Sequence, residues 1–319
     1  THFAFGTERT IIGVLGDTSR VDKENIEVMP GVERIIPITD PYKLASKTFK
    51  PNPDVFDLGK GILLGGGHFV NMAGPCSIES YDQLYETARE VRASGARILR
   101  GGAYKPRTSP YAFQGTGMEG LHWMREIAEE LDMLVVSEVM SEMDIEGMLP
   151  YVDIFQIGTR NAQNFRLLKA VGQAGKPVML KRGMAETIEE WLSSTEYILS
   201  EGNYKVILCE RGIRTFETAY RSTLDIGAIP VLRDKTHLPV IVDPSHAAGN
   251  WRLVPALALA STAAGADGLI IEVHPNPKTA MSDAAQQLTF EQYAQLSSQV
   301  RSICRTVGMQ VEEPQDTED

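Results

Sequence analysis

The chain has 319 residues, with 31 lysines and arginines against 42 aspartates and glutamates, and a formal net charge of −11. An acidic surface repels phosphodiester backbones and anionic lipids, which argues against nucleic acid or a membrane as the main partner. A hydrophobic fraction of 43% excludes a disordered chain, and three widely spaced cysteines indicate a reducing compartment rather than a disulfide framework. No stretch approaches the roughly 18 uncharged apolar residues of a membrane span or resembles a signal peptide, so we expect a soluble, cytoplasmic protein.

Residues 1–50 predict a small separate unit. Two apolar runs, 9–15 and 32–38, flank a polar stretch, and two or three strands with one short helix are too few for a stable core. The first residue is Thr1, from which we expect that an upstream segment is missing. Paired prolines in Lys50–Asp54 then predict an extended linker, which we place at 51–58. The following Gly65–Gly67 predicts a hairpin between 62–64 and 68–72.

From residue 70 onward, short apolar runs alternate with longer amphipathic stretches. The runs predict eight strands, at 70–73, 98–99, 134–136, 154–157, 178–180, 206–208, 240–242 and 269–271. Helical spacing predicts helices that include 81–93, 118–131, 187–199, 255–264 and 290–304. Eight strand–helix units over about 250 residues are typical of a (β/α)8 TIM barrel, an α/β fold, which we place at 59–308 before an acidic tail at 309–319. The alternative is a doubly wound sheet, which usually has fewer strands and a glycine fingerprint that is missing here.

Basic side chains follow the predicted strands, at the end of a barrel where active sites of this fold lie. The members are Arg100, Lys105, Arg107, Arg160, Lys181, Arg182 and Arg211. Seven cations on one rim of an acidic protein favour an anionic ligand, because guanidinium and ammonium groups bind phosphate and carboxylate. Any one of these side chains, taken singly, could instead be solvated or form a salt bridge at the rim without binding a ligand.

A second set of side chains at the same end predicts a metal site. Its members are Cys76 after the first strand, His246 after the seventh, and Glu272 and Asp283 at and beyond the end of the eighth. Closure of a barrel places the eighth strand beside the first, so these groups should be neighbours. Sulfur, nitrogen and oxygen donors together suit a borderline divalent ion such as Mn, Fe, Co or Zn. Taken singly, the alternatives are a small buried hydrophobe for Cys76 and a structural histidine for His246.

Distinct motifs stand at the strand ends, in the stretches Ala73–Ser80, Leu99–Ser109, Ile157–Arg160, Leu180–Gly183, Cys209–Gly212, Asp243–His246, Glu272–Pro275 and Ser282–Ala284. These motifs resemble those of 3-deoxy-D-arabino-heptulosonate 7-phosphate (DAHP) synthases of class I, in the short microbial branch. They follow one another in order through the whole predicted barrel. The resemblance implies a metal-dependent transferase that condenses phosphoenolpyruvate, erythrose 4-phosphate and water to DAHP and phosphate. This is the first step of the shikimate pathway of aromatic amino-acid biosynthesis.

The resemblance also implies roles for individual residues. The positions that match phosphoenolpyruvate-binding residues are Arg100, Lys105, Arg160, Lys181 and Arg211. Arg107 and Thr108 match the part that holds the aldose phosphate, and the candidate metal set matches the metal ligands. The expected catalytic residues are Cys76, His246 and Lys105. Of these, Lys105 is the candidate proton donor to the aldehyde oxygen, with a water on the metal as the competing donor.

Two alternatives to this function come from different classes. Within the fold, an octulosonate-phosphate or sialic-acid synthase condenses the same enol phosphate with another sugar, and Lys105–Ser109 is the stretch that distinguishes them. Residues 1–50 could instead make the chain a ligand-sensing module, against which the intact metal and cation sets argue. The resemblance implies a partial ferredoxin-like regulatory domain there, of the kind through which Tyr or Phe inhibits. Because that domain's first strand and helix have no counterpart, we expect catalysis without feedback inhibition, and the resemblance further implies a homotetramer.

Overall fold

The computed structural model describes residues 1–5, 10–14, 16, 21–37, 41–105, 111 and 113–313. Near the N-terminus, strands β1 (His2–Phe5) and β2 (Thr10–Gly13) form an antiparallel pair, which helix α1 (Lys23–Glu27) follows. Asp22 caps this helix, since its carboxylate accepts the backbone N–H of Asn25 at 3.1 Å. Of the second apolar run, the described residues 32–37 are not a strand.

The segment that follows, from residue 42, packs against the barrel. Leu44 and Phe49 are buried and belong to the same apolar core as the barrel strands. The His237 ring ties this segment down, because its Nδ1 lies 2.7 Å from Asp54 Oδ2 and its Nε2 lies 2.7 Å from the Leu44 carbonyl oxygen. Both polar atoms of a buried ring are thereby satisfied, as burial requires.

The predicted hairpin around Gly65–Gly67 is present only as a tight turn, in which Gly65 and His68 exchange two backbone hydrogen bonds, at 3.0 and 3.1 Å. Strand β4 (Leu63–Leu64) pairs with β3 (Phe56–Asp57), in antiparallel register with Phe56 opposite Leu64. A single bridge from Gly65 to His68 is what joins β4 to the next strand in this described stretch.

Eight parallel strands, β5–β12, close into a barrel. They are His68–Gly74 (β5), Ile98–Arg100 (β6), Leu134–Glu138 (β7), Ile154–Ile157 (β8), Val178–Lys181 (β9), Val206–Glu210 (β10), Val240–Val242 (β11) and Gly268–Glu272 (β12). Each strand pairs in parallel with the next, and β12 pairs back to β5, from Gly268 opposite Val70 to Glu272 opposite Gly74. Closure confirms the (β/α)8 barrel and excludes the open doubly wound sheet.

Most of the described helices cover the outside of the barrel, whereas the short helix Pro244–Ala248 lies at the carboxyl ends of the strands. The helices that follow β5 are Tyr81–Ala93 (α2), Met118–Glu130 (α3), Ile145–Met148 (α4), Phe165–Gln173 (α5), Ile188–Leu199 (α6), Ala228–Lys235 (α7), Pro244–Ala248 (α8), Val254–Ala263 (α9) and Phe290–Thr306 (α10). Several begin at a side-chain cap, and Thr187 and Thr289 each form a capping box with the residue three positions on. The predicted helices of the barrel begin within one or two residues of their observed starts, including α3 and α9, which have no side-chain cap.

A last short strand, β13 (Gln310–Val311), pairs in parallel with the N-terminal end of β5, with Gln310 opposite His68. The following Glu312 accepts from Arg97 at 2.7 Å, which ties the end of the described chain to the underside of the barrel. Among the described helices, none is both long and apolar enough to cross a membrane.

Candidate active site

The carboxyl ends of the barrel strands bring three of the four predicted metal ligands together. Cys76 follows β5, Glu272 ends β12 and Asp283 lies in the loop beyond. Their sulfur and oxygen ligand atoms all lie within 4.8 Å of one another. The pairing of β12 with β5 produces this proximity, since Glu272 stands opposite Gly74, two residues before the cysteine.

Close packing of the backbone at this point depends on Gly74. A Cβ at this position would lie 2.0 Å from the Arg100 carbonyl oxygen, closer than any atom pair tolerates. Glycine therefore lets β5 and β6 approach at the strand ends, immediately below the thiol. The Cys76 backbone N–H then donates to Gln287 Oε1 at 3.2 Å, which fixes the turn that presents the side chain.

The fourth predicted ligand, His246, lies at the edge of this cluster. Its Nε2 is 3.5 Å from Glu272 Oε1, and its Nδ1 is 2.7 Å from Asp243 Oδ2. Asp243 is also the N-cap of the short helix α8, because its Oδ1 accepts the His246 backbone N–H at 3.0 Å. Burial opposes the ionisation of Asp243, but His246 and Lys181 outweigh it and hold the pKa of this carboxyl well below its ordinary value.

Burial acts to raise the pKa of both the Cys76 thiol and the Glu272 carboxyl, but neighbouring charges make the net shifts opposite. Burial raises the pKa of Cys76 to about 12, an effect that Glu272 reinforces and that Lys105 and Arg100 oppose. Burial also acts to raise the pKa of Glu272, but His246, Arg100 and Lys105 outweigh it and leave this pKa at about 2. At neutral pH the cluster therefore holds an ionised carboxylate beside a neutral thiol.

Arg100 connects the cluster to the cationic part of the site. One guanidinium nitrogen, Nη1, donates to Glu272 Oε1 and to the Pro75 carbonyl oxygen, both at 2.8 Å. The side chain is 5% exposed, and within the described part of the chain its Nε is buried with no hydrogen-bond partner. A buried N–H donor without an acceptor lowers the stability of the fold, and an anionic ligand bound here could accept this hydrogen bond.

Lys105 lies directly over the thiol. Its Nζ donates to the Cys76 carbonyl oxygen at 2.8 Å and lies 3.2 Å from Cys76 Sγ. An ammonium group in this position can hold an anion and can donate a proton to a group bound near the cluster.

The remaining predicted cations occupy different surroundings. Lys181 is buried and its Nζ lies 2.5 Å from Asp243 Oδ2. Arg211 is buried and donates to Gly212 O and Ser222 Oγ, both at 3.2 Å, whereas Arg160 is exposed. Arg107 and Thr108 lie outside the described residues.

Arg182 does not face the same space as Lys181. It donates to Glu210 Oε2 at 2.8 Å and to Asp225 Oδ2 at 2.9 Å, with its guanidinium 5.8 Å from the Trp191 ring. Successive residues of a strand point to opposite faces, so a Lys–Arg pair at a strand end can place only one cation inside the barrel.

Sequence analysis overlooked side chains that support the cluster. Ser282 Oγ donates to Cys76 Sγ at 2.8 Å, and Gln286 Nε2 donates to Glu272 Oε2 at 2.7 Å. Arg221 then donates to Gln286 Oε1 at 2.8 Å. The position of Ser282 beside the predicted ligand Asp283 could have indicated its role, but no sequence pattern marks the other two.

Comparison with known families agrees with this arrangement. The sequence model of the DAHP synthetase I family matches residues 45–306, and that of the DAHP synthase ferredoxin-like domain matches residues 1–40. The chain belongs to the DAHP synthetase I family. This membership confirms the family and the enzyme class that the strand-end motifs predicted.

Individual relatives show which members of this family the chain is most similar to among those compared. Phospho-2-dehydro-3-deoxyheptonate aldolase of Thermotoga maritima is 50% identical over 310 residues, which cover 97% of this chain and 91% of the relative. The crystal structure of a Thermotoga maritima DAHP synthase superposes with a TM-score of 0.85 at 49% identity, covering 98% of this chain and 91% of that one. A 2-dehydro-3-deoxyphosphooctonate aldolase of Acidithiobacillus ferrooxidans is 32% identical over 67% of this chain and 82% of the relative. The octulosonate alternative is therefore the more distant one.

Proposed function

We propose that the chain condenses phosphoenolpyruvate with erythrose 4-phosphate and water, giving DAHP and inorganic phosphate. The enol carbon attacks the aldehyde carbon to form the new carbon–carbon bond, water adds to the cationic carbon left behind, and phosphate departs. The observation that carries the proposal is the Cys76–Glu272–Asp283 cluster beside the buried Arg100 and the half-buried Lys105. The 50% identity with the Thermotoga maritima enzyme supports it.

The cluster fits a divalent ion. A sulfur and two carboxylate oxygens lie within 4.8 Å of one another, and the imidazole of His246 stands 3.5 Å from one of those carboxylates. We assign these four residues as ligands, a donor set that suits Mn, Fe, Co or Zn. When bound, the ion supplies Lewis-acid polarisation of the aldehyde carbonyl.

Buried cations would hold the two anionic substrates. Arg100 has a buried Nε with no hydrogen-bond partner among the described residues, and Lys181 and Arg211 lie at neighbouring strand ends. These three side chains are proposed to bind phosphoenolpyruvate, together with Lys105 and the exposed Arg160. Guanidinium groups bind phosphate and carboxylate in two-point contacts, which fixes the enol phosphate in one orientation. Arg107 and Thr108 are proposed to hold the phosphate of the aldose.

Lys105 is proposed as the proton donor to the aldehyde oxygen. Its Nζ, 3.2 Å from Cys76 Sγ, belongs to both the cluster and the cationic part of the site. Proton transfer from a positioned side chain typically contributes about 10²–10⁴-fold to a rate, which makes this role measurable. Water is the competing donor.

The experiment that tests the function is removal and restoration of the ion, with release of phosphate as the readout. Treatment with a chelator should abolish turnover of phosphoenolpyruvate and erythrose 4-phosphate, and addition of Mn²⁺, Fe²⁺, Co²⁺ or Zn²⁺ one at a time identifies the ion that restores it. Arabinose 5-phosphate in place of erythrose 4-phosphate tests the octulosonate alternative. Full turnover after chelation, or preference for arabinose 5-phosphate, would contradict the proposal.

The N-terminal residues are proposed to be the regulatory part of the protein. The match of residues 1–40 to the DAHP synthase ferredoxin-like domain supports this, and we keep the boundaries 1–50, 51–58, 59–308 and 309–319 as proposals. The candidate ligand is an aromatic amino acid such as Tyr or Phe. Turnover measured with and without either amino acid tests this regulatory role, and light scattering tests the proposed homotetramer. Location in the cytoplasm stays a prediction.

A further inference from the structure

Asp243 links the metal cluster to the cations that face the substrate. It stands between β11 and α8, is 1% exposed, and uses both carboxylate oxygens. Oδ1 accepts the backbone N–H of His246 at 3.0 Å. Oδ2 lies 2.7 Å from His246 Nδ1 and 2.5 Å from Lys181 Nζ, so one oxygen serves two side chains.

On the histidine side, this contact fixes the role of each ring nitrogen. A carboxylate oxygen only accepts, so Nδ1 must carry a proton, and Nε2 is the ring nitrogen left to bind an ion. Nε2 is the atom that faces Glu272 Oε1 at 3.5 Å, on the side of the cluster. A histidine ligand held in this way has its orientation and its basicity set by the carboxylate behind it.

On the lysine side, the same oxygen fixes the direction of an ammonium group. Lys181 ends β9 and reaches past β10 to Asp243, with 5% of its side chain exposed. One of its three N–H donors is used by this contact, which leaves the others for an anion. A lysine held at one point loses less side-chain freedom when it binds a ligand than a free one does.

We propose that Asp243 is a positioning residue that holds His246 for the metal ion and Lys181 for the anionic substrate through one shared oxygen. The proposal rests on the function proposed above. Its consequence is that a single isosteric change should weaken two different ligands, a divalent cation and phosphoenolpyruvate, although Asp243 touches neither. A role in stability alone would leave both affinities unchanged in the folded variant.

Asp243→Asn tests this proposal, because the amide keeps the shape but presents a neutral acceptor and an N–H₂ donor. Calorimetric titration of the ion-free protein with Co²⁺ alone should show affinity about 10 to 100 times weaker than in the wild type. Phosphoenolpyruvate titrated at saturating Co²⁺ should bind about tenfold more weakly. The reason is that Lys181 loses its charge-assisted hydrogen bond to Asp243, which holds it in position for the anion. Both affinities within twofold of wild type, or a loss in only one of them, would overturn the proposal.

Asp267→Asn is the matched control. Asp267 is equally buried, accepts from Arg233 at 3.0 Å and from the Val240 backbone N–H at 2.8 Å, and lies at the opposite end of the barrel strands. Its substitution should lower thermal stability and leave the Co²⁺ and phosphoenolpyruvate affinities of the folded protein within twofold of wild type. Losses equal to those of Asp243→Asn would show a general effect of disturbing the barrel and overturn the proposal.

Lys181→Met tests the shared oxygen of Asp243 if the Asp243→Asn variant does not fold. With the lysine removed, Oδ2 serves His246 alone, so Co²⁺ should bind more tightly while phosphoenolpyruvate binds more weakly. Arg211→Met controls for charge, since Arg211 donates to Gly212 O and Ser222 Oγ instead of Asp243. A gain in Co²⁺ affinity no larger than that of Arg211→Met would contradict the shared oxygen. The Co²⁺ titrations involve no substrate, so failure of wild-type turnover would count against the proposed function and not against this inference.

Discussion

Binding of a divalent ion at the cluster should release about one proton near neutral pH, because the thiol of Cys76 must ionise to become a ligand. Burial raises the pKa of this thiol to about 12, so it is protonated in the ion-free protein at pH 7.5. The pKa of Glu272 is about 2, so this carboxylate contributes no proton. Apparent affinity should therefore rise about tenfold for each pH unit between pH 7 and 8.5, or about 1.4 kcal/mol per unit.

The measurement is calorimetric titration of the ion-free protein with Co²⁺ at one pH, in several buffers that differ in ionisation enthalpy. The slope of the apparent binding enthalpy against buffer ionisation enthalpy gives the number of protons released. Cys76→Ser should bind more weakly and with a slope near zero, because a hydroxyl keeps its proton. Cys304→Ser is the matched control, since Cys304 is also buried with a pKa raised to about 12 but lies in α10.

A wild-type slope near zero would refute the reasoning. It would mean either that Cys76 does not bind the ion, or that its thiol is already a thiolate, stabilised by the ammonium of Lys105 at 3.2 Å and the hydroxyl of Ser282 at 2.8 Å. In the second case the favourable contacts would outweigh the cost of burying the charge, the reverse of the balance inferred here.

Three further predictions follow from the site and the fold. Lys105→Met should lower kcat at least about a hundredfold in initial-rate assays of phosphate release, whereas a raised KM with unchanged kcat would contradict the proton-donor role. Gly74→Ala should cost about 2 to 3 kcal/mol in urea unfolding, since its Cβ would meet Arg100 O at 2.0 Å. Gly202→Ala, at a positive φ in open space, should cost only about 1 kcal/mol, and equal costs would contradict the steric argument. The ion-free protein should lose stability as pH falls from about 4.5 towards 2, because Glu272 has a pKa of about 2 in the fold against an ordinary 4.5. The contribution is about 3 kcal/mol above pH 4.5, and an equally steep loss in Glu272→Gln would show that other groups cause it.

The amino-acid sequence by itself determined the barrel and the region of the site. Helix α2 begins and ends at the predicted Tyr81 and Ala93, since apolar periodicity and caps act within a few residues. Closure of a (β/α)8 barrel then predicted that Cys76 and Glu272 are neighbours, and the structure places them in one cluster. In a closed parallel barrel the carboxyl ends of all eight strands lie at the same end, so the fold alone brings the residues that follow them together.

The tertiary structure alone decided which polar groups contact one another. The sequence does not distinguish Lys181 from Arg182, and only the direction of β9 places the first against Asp243 and the second against Glu210. The pairing of β4 with β3 and the shared oxygen of Asp243 were likewise decided by the tertiary structure. Local patterns are set by residues a few positions apart, whereas these contacts depend on strands and loops far apart in the chain, which meet only when the barrel has closed.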